Sequence, residues 1–262
     1  MERADAFFAV DDGRYRPRPH ARSPWSADML HGRLLAGLTV RQLERDHLDG
    51  GFEIARVTVD LFSVVPMAAV TLRSARVRDG RRVRAVDVVV ECEGRDVARS
   101  SALLLVPPGT PPGSVWRREP WNAPTPSALA APDRSPEADG MGAPDLRFVG
   151  RALDGPGPHR AWLREPWALV DGEPLTPYVR AVIAADVSNP LSNWGDEGLQ
   201  YINADLTVHL ARAPVGEWIG LEVTDHLDHD GIAVGQTRLH DAAGPFGNVV
   251  VTSVAQAFGD RR

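Results

Sequence analysis

The stretch LQYINADLTVHLARAPVGEWIGL, residues 199–221, decides the reading of the fold. Ile202, Ala204, Leu206, Val208 and Leu210 alternate with Asn203, Asp205, Thr207 and His209, the two-residue period of a strand with one buried and one solvated face. Ala213-Pro214-Val215-Gly216 then turns the chain, and an apolar run from Glu217 to His226 reads as the next strand. Further strands are expected over 232–239 and 248–258, separated by turn-forming residues at 228–231 and 241–244. Upstream, 175–191 reads as a helix.

The first part of the chain repeats this order. Leu30, Leu34, Leu35, Leu38 and Leu43 recur at helical spacing, with Arg33, Arg41 and Glu44 on other faces. Strand-like runs follow at 52–62, 68–77, 83–92 and 97–106, with turns at Arg78-Asp79-Gly80 and Glu93-Gly94. Between the two sets, proline recurs from Pro107 to Pro144, and such a segment can neither continue a helix nor supply central strands. The expected organisation is an N-terminal unit at 1–106, a linker at 107–144 and a second unit at 145–262. A helix with one apolar stripe and an antiparallel sheet with one apolar face can cover each other. The fold class is therefore α+β: two antiparallel sheets, each wrapped around a central helix, lying side by side with a crevice between them.

With 262 residues, 43% of them hydrophobic, the chain can bury cores of ordinary domain size. A net charge of -6 and the absence of a long basic run argue against nucleic acid or a membrane surface as partner, although all 29 positively charged side chains are arginine. No opening segment has the signature of a secretory leader and no apolar run approaches bilayer length, so the expected location is cytoplasmic. The single cysteine, Cys92, lies in an alternating apolar run with no metal-ligand companions and reads as a core residue.

Residues 199–221 also resemble the acyl-CoA thioesterase II family, particularly its actinobacterial branch. Ala184-Ala185-Asp186, GIAVG at 231–235 and DAAGPFG at 241–247 extend the resemblance, as does WSADMLHG at 25–32, where Arg33 follows in place of a common second glycine. The resemblance implies a double hotdog fold. It also implies an acyl-CoA substrate, hydrolysed to free acid and CoA by a water held between a helix aspartate, a small polar residue at a strand start and a last-strand glutamine. No cofactor or metal is implied, and a homodimer is expected by analogy.

Asp186 falls on the helix aspartate and could activate water beside a thioester carbonyl, or simply end the helix by bonding nearby backbone. Asn203 falls on the small polar position, with an ordinary place on a solvated strand face as the alternative. Counted from Gly247, the glutamine position holds Val251, and Gln256 lies five residues later, an odd displacement that reverses the strand face unless a bulge intervenes. Gln256 is nonetheless the remaining catalytic candidate. His31 and Gly32 are substrate-binding candidates, because backbone N–H groups at a helix start can stabilise an oxyanion; a tight entry turn is the plainer role. A site lacking its glutamine would also suit a protein that binds acyl-CoA without turnover.

Other constellations carry less. Asp186-Val-Ser-Asn-Pro-Leu-Ser192 lacks the histidine a hydratase needs, and no Gly-x-Ser-x-Gly elbow occurs. His226, Asp228, His229 and Asp230 read as a hydrated turn before a metal site. Arg81-Arg82-Val83-Arg84 could meet CoA phosphates or form a solvated hairpin end, and Trp25, Trp194 and Trp218 read as packing.

Overall fold

The computed structural model describes residues 6–119, 121–132 and 142–256. In chain order it begins with β1 (Ala6–Asp11), β2 (Arg14–Pro17), the small hairpin β3 (Arg22–Ser23) and β4 (Ser26–Leu30), and helix α1 (Gly32–His47). Four long strands follow: β5 (Glu53–Leu61), β6 (Val70–Asp79), β7 (Val83–Cys92) and β8 (Arg95–Leu105). Beyond the proline-rich stretch come β9 (Asp145–Phe148), β10 (Arg160–Arg164), β11 (Ala168–Val170), and helices α2 (Pro177–Ala185) and α3 (Ser188–Asn193). The chain ends with the short β12 (Trp194–Gly195), β13 (Gly198–Leu199) and β14 (Tyr201–Asn203), then β15 (Asp205–Leu210), β16 (Trp218–His229), β17 (Ile232–Asp241) and β18 (Gly244–Ala255).

Fourteen strands form one sheet, in the order β11-β1-β2-β6-β7-β8-β5-β15-β18-β17-β16-β10-β9, with β14 also paired to β18. The two parts of the chain meet where β5 pairs antiparallel with β15, from Asp60 opposite Asp205 to Arg56 opposite His209. Thr58 and Thr207 add a hydroxyl bond of 3.1 Å across that seam. At one edge β1 pairs parallel with β11, so the chain start is tied to its second part. None of β1 to β4 or β9 to β11 is among the sequence-based expectations. All are short, and runs of two to six residues carry too little periodicity to register.

The two main helices pack against each other and against the sheet. Along α1, Leu34, Leu35, Leu38, Val40 and Leu43 are buried. A Cβ at Gly37 would come within 2.9 Å of Ile183 on α2, so a glycine here lets the helices touch. Arg33, expected on a polar face, is instead buried: its guanidinium is ion-paired to the buried Glu165 and donates to the Gly142 carbonyl. Arg84 is likewise taken out of solvent, bonded to Asp49 at 2.6 Å and Asp79 at 2.9 Å and lying over Phe52, so this member of the arginine cluster fastens its own hairpin. Cys92 is buried in the core, as read from the sequence.

Thr176 caps α2, accepting from the Val179 N–H at 3.2 Å, with Pro177 in the first turn where its missing donor is not needed. The Thr176 hydroxyl also donates to Glu44 on α1 at 2.6 Å. Burial lifts the Glu44 carboxyl to about 7. An unfolded glutamate titrates at about 4.3, so between those values the folded chain binds the proton more tightly and stability declines as pH rises. Glu44→Gln is expected to remove that contribution: across about pH 5 to 7 its urea midpoints should fall less steeply with pH than those of the parent. Parallel curves would mean that Glu44 titrates as an ordinary carboxylate.

The helix expected over 175–191 is broken in two. Pro190 has no N–H to continue the ladder, and its ring would crowd the carbonyl four residues earlier, that of Asp186. Asp186 accordingly ends α2, and its carbonyl accepts from the Asn189 N–H at 3.2 Å. Gly235 on β17 then admits α3, for a Cβ there would overlap the Ser192 side chain. The last strand stops at Ala255, and residues 257–258 of its expected span, like 133–141 of the proline-rich stretch, lie outside the described residues. Among the described residues no helix is long and apolar enough to cross a membrane.

Candidate functional site

Asn203 owes its direction to an irregularity. It pairs with Ser253 on β18, whereas Thr207 pairs with Val250, so four steps along one strand face three along the other. The extra residue falls at Ala204, whose N–H bonds Thr252 O at 2.8 Å and whose carbonyl accepts from the Leu61 N–H at 2.9 Å. Such a bulge reverses the alternation. Asn203 therefore shares the helix-facing side with its buried partner Ser253, not the solvated face that strict alternation with Asp205, Thr207 and His209 would give it.

There its Nδ2 donates to Asp186 Oδ1 at 2.9 Å. The other Asp186 oxygen lies 3.9 Å from Nδ1 of His31, the residue that caps α1. That same Nδ1 accepts from the Arg33 N–H at 3.4 Å, which leaves the imidazole proton on Nε2. Thus the break in α2, the start of α1 and the bulge after β14 bring three polar side chains from separate parts of the chain together.

Their electrostatics agree. Burial raises the Asp186 carboxyl above the usual aspartate value, opposed by the Asn203 hydrogen bond and the Arg33 charge. His31 is held well below the ordinary histidine value by burial and then by the nearby Arg33 cation, so it is neutral near pH 7. The group lines a cavity of about 230 Å³. Gly32, the first residue of α1, contributes to the wall, and most of the rest is apolar, including Trp25, Leu35, Leu61 and Val254.

Gln256 is not part of this set. It follows the end of β18, half-buried, with its backbone N–H bonded to the Gln200 carbonyl at 2.9 Å, and the cavity wall nearest in sequence is Val254. Val251 is fully buried opposite Gly235, on the side where α3 packs. His226 and Asp228 pair with each other at 3.2 Å, and among the described residues no cluster has the makings of a metal site. Trp25 stands at the cavity rim, while Trp218 lies on the outer face beneath Arg147 and Arg164. Behind the site, and not legible in the sequence, is the Arg33–Glu165 pair, whose partners are 132 residues apart and whose cation acts on Asp186.

Solved structures share this architecture. A protein with a hot dog fold from Alicyclobacillus acidocaldarius superposes with a TM-score of 0.74 at 12% identity, over 95% of this chain and 96% of that one. The tesB protein of Mycobacterium avium subspecies paratuberculosis gives 0.71 at 15% identity over 94% of both chains. An acyl-CoA thioesterase II, TesB2, from Mycobacterium marinum gives 0.65 at 15% identity over 97% and 96%. The fold is thus a hotdog fold. No curated protein matches the chain in sequence. The model of the acyl-CoA thioesterase N-terminal domain matches residues 21–105 and that of the C-terminal domain matches residues 111–255, and with both halves of the family pattern present the chain belongs to the acyl-CoA thioesterase family.

Proposed function

We propose that the protein hydrolyses a fatty acyl-CoA to free acid and CoA, with Asp186 assisting attack by water. The observation that carries this reading is the Asn203–Asp186 hydrogen bond of 2.9 Å, with His31 beside it, inside a largely apolar cavity. Because Asn203 uses its Nδ2 on Asp186, its Oδ1 is the acceptor available to a water, while the second Asp186 oxygen takes the proton. A raised carboxyl is a stronger base once ionised, which suits that role. The Gly32 N–H at the start of α1, with the neutral His31 Nε2–H, supplies donors for the oxyanion. The departing thiolate needs little protonation, since an ordinary thiol titrates at about 8.5. In this reading the sheet comprises two hotdog units side by side, a double hotdog, with β5 and β15 at the junction and residues 107–144 as the linker.

A second reading, acyl-CoA binding without turnover, is favoured by Val251: at the position where the family carries a glutamine, a buried valine offers water no hydrogen bond. A thiol-release assay over acyl-CoA esters separates the two. The hydrolase reading expects free CoA in stoichiometric step with free acid. Saturable binding with no release would establish the binder and end the hydrolase proposal.

A further inference from the structure

The cavity that holds Asp186 and Asn203 runs from an open mouth to a closed floor. Trp25, Val64 and Val254 at the mouth are 37%, 66% and 48% exposed, whereas Leu30, Leu35 and Val65 are 0%, 1% and 2% exposed. Its volume is about 230 Å³. That is below the about 300–1,000 Å³ of ordinary ligand pockets, and the thioester takes part of it. A longer chain would have to continue between the helices. That route is closed at Gly37, where α1 meets α2 and β11, with Ile183 and Leu169 only 2.9 and 3.3 Å from where a Cβ on that glycine would stand. Leu34, Leu38 and Val182 are fully buried around the same seam.

Resting on the hydrolase reading above, we propose that the protein is selective for short and medium acyl groups over long ones, and that Leu35 and Val65 are the residues that set the limit. Neither carries chemistry. Both line the cavity and are buried, unlike Trp25, Val64 and Val254 at the mouth, so in this proposal they are what the far end of the acyl group meets.

The test is kcat/KM for the intact protein on acetyl-, butyryl-, hexanoyl-, octanoyl-, dodecanoyl- and hexadecanoyl-CoA. The expected profile peaks between butyryl and octanoyl and falls at least about tenfold by dodecanoyl, as binding energy is lost when the terminal carbons find no room. Leu35→Ala, which frees room for about three carbons, should move the peak to longer chains; Val65→Ala should move it less and serves if the first variant does not fold. A profile that climbs through hexadecanoyl-CoA overturns the proposal and leaves the hydrolase reading standing. If no ester is turned over, the hydrolase reading fails instead. The size limit is then read from thermal shift: stabilisation by octanoyl-CoA above that by hexadecanoyl-CoA supports it, and the reverse order sinks it.

Discussion

Asp186→Asn is expected to lower kcat for thioester hydrolysis by about 100- to 10,000-fold while acyl-CoA still binds. The change keeps the shape of the side chain and lets it remain bonded to Asn203, but removes the base. Because burial already penalises the carboxylate charge, a neutral amide should be tolerated by the fold, so the loss is chemical. The pH profile of the parent carries the complementary signature. Asp186 must be ionised to accept a proton, and its value lies above that of ordinary aspartate, so the rate should rise with pH through a limb displaced upward from about 3.9. His31, held low, stays neutral on the alkaline side of its own lowered value and adds no further rise there. A variant that retains activity within a few-fold of the parent would remove Asp186 from the mechanism.

Arg33→Met should reduce stability by about 3–5 kcal/mol, read as the shift of the urea unfolding midpoint. The guanidinium neutralises Glu165, which is buried and whose carboxyl burial pushes upward, and it also bonds the Gly142 carbonyl and lies over the Phe7 ring. Without Arg33 the glutamate must be buried unpaired or take up a proton, and either route costs free energy. Removing both partners in Arg33→Met with Glu165→Leu should return much of the loss, since two apolar side chains leave no orphaned charge. Equal stability of the single and double variants would show that Glu165, once unpaired, carries no penalty. The single variant also reports on chemistry: with the Arg33 charge gone, the Asp186 carboxyl should titrate still higher and the rising limb of the pH profile should move with it.

Periodicity made the large elements legible. The leucine pattern over 30–43 anticipates α1, and the long strands fall within a few residues of their expected spans. The features that aim the site were harder to read, because each depends on a single residue working against a pattern. Pro190 splits the second helix at Asp186, a signal present in the sequence but outweighed by the apolar spacing around it. The bulge at Ala204 puts Asn203 on the inner face, and a one-residue slip of this kind follows only from pairing with β18. His31 comes beside Asp186 through packing of α1 on α2, a contact that no local spacing encodes. Gln256 had only its residue type in its favour, and the chain has left the sheet before it is reached.

The β5–β15 seam bears on how such a chain can be divided. A gene encoding only the first part would leave β5 with a bare row of amides and carbonyls, and one encoding only the second would do the same to β15, each a template for sticking to its own copies. Neither fragment would hold the histidine together with the aspartate and asparagine, since His31 comes from one and Asp186 and Asn203 from the other.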